Sequence, residues 1–266
     1  MKIEYQETTK DLQTRIAIHD KYGSKDIDAW MLDVLKPAPE TRILDVACGG
    51  GKQLQAFHRY TGGKAKIVGV DVSRELLAQA QGVNERLGSP FTLREMDFNR
   101  EFPFEGSSFD LVSCCFAIYY AANAHHTLRQ IHRVLRSGGT LFTTGPMPEN
   151  KRLFYEILQE ATGKPIPPMP GSSRYGSEIL QVVRELFAAV QVHIFENPLV
   201  FESLAPFLDY TRASLSEDRK LWTGLFSGAE EFDQIMVRIS ETAARRLSET
   251  GTLVMTKVVG GFVATT

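Results

Sequence analysis

Short apolar runs alternate along the first half of the chain with segments whose apolar residues recur every three or four positions. The runs read as strands at about 42–47, 66–72, 91–97, 109–117 and 139–145. Several, such as Lys66–Val70 and Asp110–Ala117, are almost continuously apolar, the pattern of strands buried on both faces. Between them the spacing predicts helices over 51–61, from Ser73 to near Gly88 and over 124–136; Ser73 is a good N-cap, and Gly138-Gly139 a stop. Strands and helices in strict alternation imply a doubly wound α/β architecture, a mostly parallel sheet with helices on both sides.

Either side of this core the pattern changes. Residues 8–35 read as helical, interrupted at Tyr22-Gly23-Ser24 and closed by Pro37 and Pro39. After Pro146 a helix is expected over 149–161, then a Pro/Gly/Ser-rich loop over 163–176, a helix to about 188 and a strand over 190–201. Helices follow at 203–214 and 229–248, and a last strand is expected to break at Gly260-Gly261. A loop as long as 163–176 is a lid candidate.

Composition narrows the classes. The chain has 266 residues, 43% hydrophobic and 23% charged, with a net charge of −2, so nothing favours a broad nucleic-acid surface. No apolar run is long enough to span a membrane. The polar N-terminus lacks the apolar segment of a signal peptide, so a cytoplasmic protein, monomeric or homodimeric, is expected. Its three cysteines, Cys48, Cys114 and Cys115, form no metal-ligand spacing and read as reduced; Cys48, beside a helix N-terminus, is a candidate for a lowered pKa. No metal site is expected.

The most informative stretch is Ile43–Gly51, ILDVACGGG, followed twenty residues after Gly51 by Asp71 in IVGVDVS. Strand, glycine turn, helix, strand and terminal carboxylate make a nucleotide-binding βαβ unit, with Asp71 placed for both ribose hydroxyls. A dinucleotide fingerprint needs a third glycine, and Leu54 stands there; a P-loop needs a first glycine and a Ser or Thr, where Val46 and Gln53 stand. Asp45 inside the turn would repel a pyrophosphate and suits a ligand with an ammonium or sulfonium, both carried by S-adenosylmethionine (SAM). Ala47 is acceptable in the turn only if its φ stays negative.

Asp45–Gly51 resembles the D-x-G-C-G-x-G motif of class I SAM-dependent methyltransferases, with Ala47 replacing its first glycine. The resemblance continues, in the family's order, through residues 67–73, 94–99, 109–120 and 134–142. It implies a Rossmann-like seven-stranded sheet with helical lid insertions. The expected organisation is a helical cap over 1–40, a SAM-binding core over 41–146, a lid over 147–189, and 190–266 completing the same domain.

The resemblance also implies roles. Asp45 would receive the methionine ammonium and brace the turn formed by Ala47, Cys48, Gly49 and Gly51. Asp71 and Val72 would meet the ribose and adenosine, Asp97 the adenine amino group, and Met96 and Phe98 the walls around the ring. Cys115 and Phe116 would pass beside the sulfonium, and Tyr22 in the N-terminal segment, near His19 and Trp30, would contact the methionine end. Tyr119, Tyr120 and His125 are the candidates for handling the methyl acceptor. The implied function is in-line methyl transfer from SAM, yielding S-adenosylhomocysteine (SAH), to an O, N or C atom of a small molecule. The alternatives are an RNA cap-type guanine methylase, a non-catalytic SAM-binding subunit and an NAD-dependent oxidoreductase.

Overall fold

The computed structural model describes residues 9–167, 169–217 and 229–266. Residues 1–8 of the expected cap and Pro168 of the expected lid lie outside that range. Seven strands form one sheet in the order β3-β2-β1-β4-β5-β7-β6. They are β1 (Arg42–Val46), β2 (Lys66–Asp71), β3 (Phe91–Glu95), β4 (Phe109–Cys115), β5 (Leu135–Pro146), β6 (Ala189–Phe201) and β7 (Leu253–Thr265). The first five pair in parallel, and β7 runs antiparallel between β5 and β6. The chain winds outward from β1 in one direction to β3, then returns to β1's other side for β4 and β5. The carboxyl ends of β1 and β4 therefore flank the switch point at which α/β sheets bind ligands.

Helices cover both faces, and the strands' alternation divides the core accordingly. Leu44, Val46, Val112, Cys114 and Leu141 pack on one side with α5 (Ala124–Val134) and α8 (Leu180–Leu186). Ile43, Ile67, Leu111 and Phe142 pack on the other with α2 (Ile27–Leu35) and α3 (Lys52–Tyr60). Cys114 and the partly buried Cys115 face opposite sides, because side chains alternate along a strand. Ser73 caps α4 (Arg74–Arg86), its Oγ accepting from Leu76 N at 3.3 Å.

A second cluster lies beyond the sheet's carboxyl edge. Pro146, the last residue of β5, pairs with Val259, which pairs with Phe195, so residues 196–201 of β6 and 253–258 of β7 continue past the parallel strands. On this extension pack α1 (Thr9–Tyr22), α6 (Arg152–Thr162), α9 (Leu204–Glu217) and α10 (Ala229–Thr250), around Phe154, Phe201, Phe207 and Tyr210. Asn197 ties the link between α1 and α2 to β6: its Oδ1 accepts from Ser24 N and Lys25 N, and its Nδ2 donates to Lys25 O.

Two segments depart from the sequence pattern. The loop expected over 163–176 ends early: α7 (Pro170–Arg174) continues through one π-helical turn, Tyr175–Ile179, into α8. Gly171 and Ser173 are thus helical despite their weak helix propensity, with Gly171 against the Tyr119 ring and the following Tyr175 stacked on Phe262. The last strand does not break at Gly260-Gly261. Met147 fills the space over Gly260, its Sδ 2.5 Å from where a Cβ would lie with the Tyr175 ring next at 3.2 Å, and Trp30 fills that over Gly261, where a Cβ would lie 2.7 Å from the indole. These glycines make room for neighbouring side chains in an unbroken strand. Among the described residues no helix is long and apolar enough to cross a membrane.

Candidate active site

The turn after β1 is built from a run of left-handed residues: Ala47 at φ 58°, Gly49 at 53° and Gly51 at 84°. Ala47 overturns the expectation of a negative φ. The backbone bonds Cys48 N to Val70 O and Gly51 N to Cys48 O hold the turn whatever residue stands there. The methyl group of Ala47 adds a steric cost of about 1–2 kcal/mol that a glycine would avoid.

Two carboxylates anchor the turn. Asp71 Oδ2 accepts from Gly49 N at 2.9 Å, and its Oδ1 from Ser73 N at 2.8 Å. Asp71 does not simply face an open crevice: it locks the glycine turn to the start of α4. Each carboxylate oxygen retains a second lone pair for a hydroxyl. Asp45, 2% exposed, lies opposite Ser113 in the β1–β4 register, and Ser113 Oγ donates to its Oδ1 at 2.6 Å. Its Oδ2 is buried with no hydrogen-bond partner among the described residues. Burial pushes the carboxyl up to about 7; the Ser113 hydrogen bond opposes this, and the nearby Asp71 charge adds to it.

Cys48 corrects a second expectation. Its thiol is pushed up, not down, by burial and by the charges of Asp45 and Asp71, because the side chain turns into the core against Gly69. Cys115 is likewise pushed up, first by burial and then by Asp45.

The remaining candidates spread around the same edge. Val72 is 64% exposed and Phe116 39% exposed, so each offers an apolar face at the carboxyl end of its strand. Phe116 takes φ 55° and donates its N–H to Thr144 O, which holds the ring outward. Met96 is buried, its N–H bonded to Asp71 O. Asp97 follows β3 in an Asx turn, Oδ1 accepting from Asn99 N and Nδ2. Phe98 O accepts from Thr127 Oγ1.

Tyr119 and Tyr120 lie in a 3-10 turn after β4, their rings 4.6 Å apart. Tyr119 is buried, and Arg174 Nη1 donates to its carbonyl and to that of Ala121. His125 turns elsewhere: Nδ1 accepts from Arg129 Nε, and Nε2 lies 4.0 Å from Glu185 on α8. Tyr22 packs against Phe201 in the outer cluster, with Lys21 Nζ over its ring. Sequence reasoning missed Ser113, whose signal is its place inside an otherwise apolar β4. It also missed Arg174, which only the tertiary arrangement brings against the tyrosine pair. Among the described residues no group of three His, Cys, Asp or Glu side chains is placed to hold a metal ion.

Comparison with known proteins decides what this edge belongs to. The protein-family profile described as a methyltransferase domain matches residues 43–139. These residues form a methyltransferase domain of the class I, SAM-dependent family. The domain is 33% identical over 119 residues to a demethylmenaquinone methyltransferase of Chlorobaculum parvum, covering 43% of this chain and 46% of that one. A 27-O-demethylrifamycin SV methyltransferase of Amycolatopsis mediterranei is 26% identical over 192 residues, 69% of this chain and 63% of that one. The crystal structure of the YcgJ protein from Bacillus subtilis superposes with a TM-score of 0.58 at 17% identity, over 90% of this chain and 97% of that one, a likeness of fold. The chain spans less than half the length of the first curated relatives it matches. The methyltransferase domain thus contains the whole turn, both anchoring carboxylates and the tyrosine pair.

Proposed function

We propose that the protein binds SAM at the carboxyl ends of β1, β2 and β4 and methylates an O, N or C atom of a small molecule. The observation that carries this reading is Asp45: a buried carboxylate inside the turn, with one oxygen unpartnered, inside a methyltransferase domain. A cationic ammonium at that oxygen would complete its hydrogen bonding, whereas a pyrophosphate would meet like charge. When bound, SAM supplies an already activated methyl group for in-line displacement.

The chain's own residues bind, orient and exclude water. Asp45 accepts from the ammonium, and Asp71, fixed by Gly49 and Ser73, accepts from the ribose hydroxyls. Val72, Met96 and Phe98 wall the adenine, with Asp97 at its amino group. Phe116 and Cys115 border the sulfonium. Tyr119 and Tyr120 orient the acceptor, and residues 147–189 roof it as a lid. The contacts of His125 and Tyr22 do not support the roles their positions in the sequence suggested.

Calorimetry with SAM, SAH and NADH tests the reading. SAM and SAH are expected to bind and NADH not to; NADH binding without a SAM signal overturns it. Acceptor pools incubated with methyl-labelled SAM then identify the substrate.

A further inference from the structure

Ser113 interrupts the apolar residues 111–115 of β4. It is fully buried, and the register of the sheet sets it between Asp45 on β1 and Phe142 on β5. A hydroxyl in such a place is costly unless it is hydrogen-bonded. Its Oγ donates to Asp45 Oδ1 at 2.6 Å, the length of a hydroxyl bound to a charged carboxylate. Pairing with Gly69 on one side and Ser113 on the other fixes the backbone of Asp45, and the serine hydroxyl fixes its carboxyl group. One oxygen is thereby engaged, and Oδ2 is left as the acceptor without a partner among the described residues.

The surroundings of Asp45 make this bond decisive. Burial is the largest influence on the carboxyl and disfavours its charge; the Ser113 hydrogen bond opposes burial, and the charge of Asp71 on β2 adds to it. Of these three influences, only the serine favours the ionised form. The thiols of Cys48 in the turn and Cys115 on β4 stay neutral, each pushed up first by burial and then by Asp45. On the helices covering this face, Asp28 of α2, which also acts on Cys115, is paired with Lys52 of α3 at 3.0 Å.

Resting on the reading of Asp45 as the acceptor of the methionine ammonium, we propose that Ser113 is a positioning residue for the cofactor: its hydroxyl holds the Asp45 carboxylate charged, with Oδ2 left for that ammonium. Ser113 acts through Asp45 and needs no contact of its own with SAM. Cofactor uptake is thereby tied to loss of a proton. The carboxyl of the ligand-free protein lies at about 7, and the ammonium prefers its charged form. Below pH 7 binding must therefore expel the Asp45 proton, so affinity falls about tenfold for each pH unit, whereas above 7 it is level. Removing the serine hydroxyl takes away the influence that favours the charge and moves the midpoint of this dependence upward.

The test is calorimetry of the whole chain with SAH from about pH 5.5 to 8.5, a range over which the SAH ammonium stays protonated. The parent should show a midpoint near 7. At about pH 6 it should release close to one proton on binding, counted from the dependence of the heat on the buffer's ionisation enthalpy. Ser113→Ala should raise the midpoint by about one unit, which weakens SAH about tenfold at pH 6 and less than about threefold at pH 8.5. Binding at the higher pH also shows that the variant folds. Asp45→Asn should bind SAH weakly, with no dependence on pH over this range and no proton released. Equal losses at both pH values in Ser113→Ala would make the serine a packing residue and overturn the proposal, as would an unchanged profile. A parent that binds SAH equally well across the range also overturns it and leaves the SAM reading standing. A parent that binds no SAH at any pH removes the proposed function and this proposal together.

Discussion

Asp45→Asn should stabilise the ligand-free protein at alkaline pH while damaging its binding site. The Asp45 carboxyl lies at about 7 in the folded protein against 3.8 for an ordinary aspartate, because burial disfavours its charged form. From 3.8 to about 7 is about three pH units, and at about 1.4 kcal/mol each the ionised group costs roughly 4 kcal/mol of folding stability above pH 8. The sign is opposite to that of a salt-bridged aspartate. Between pH 4 and 7 the folded state holds more protons than the unfolded one, so stability falls as pH rises and levels off above 7. Asparagine keeps an acceptor for Ser113 Oγ but places an N–H₂ where Oδ2 had no partner, a penalty of about 1–3 kcal/mol. The variant should therefore be about 1–3 kcal/mol more stable than the parent at pH 8 and less stable than it near pH 4.5, with a crossing between. At pH 8 a gain of 2 kcal/mol raises Tm by roughly 4–8 °C. Urea denaturation at the two pH values measures this directly. SAH should then raise the Tm of the parent more than that of the variant, because only the carboxylate answers the ammonium. A variant-minus-parent difference that is the same at both pH values would refute the assignment of a buried, raised carboxyl.

Three further outcomes follow from the geometry. Asp71→Ala should cost about 1–3 kcal/mol of stability without ligand, since Gly49 N and Ser73 N lose their acceptor, and should also weaken SAM binding; denaturation and calorimetry measure the two effects. A variant as stable as the parent would mean that Asp71 does not brace the turn. Gly145→Ala should destabilise by about 1–3 kcal/mol, because its Cβ would lie 2.6 Å from the ring of Tyr175, itself stacked on Phe262 and donating to Thr143 O; a Tm equal to the parent's would contradict that packing. Arg174→Met, which removes the bonds to the carbonyls of Tyr119 and Ala121, should lower methyl-transfer turnover far more than SAM affinity, and equal losses in both would place α7 in the cofactor site.

The sequence determined the sheet's inner strands and the turn's composition, because both are local matters. Period and continuity of apolar residues mark β1, β2 and β4 without reference to anything distant. The spacing from Gly51 to Asp71 is one helix and one strand, so it places the carboxylate at the strand's end by chain length alone. What the sequence could not carry is every consequence of packing between distant segments. Ala47's sign of φ is set by hydrogen bonds to Val70 and around the turn, not by alanine's own preference. The thiol of Cys48 follows from burial beside two carboxylates, which outweighs the adjacent helix end. Gly260 and Gly261 read as a break in isolation and become an unbroken strand because Met147, with Tyr175 beside it, and Trp30 occupy their missing side chains' space. His19 on α1 and Tyr210 on α9 stand 191 positions apart, and only the tertiary packing of both helices brings His19 Nε2 within 3.4 Å of the Tyr210 hydroxyl.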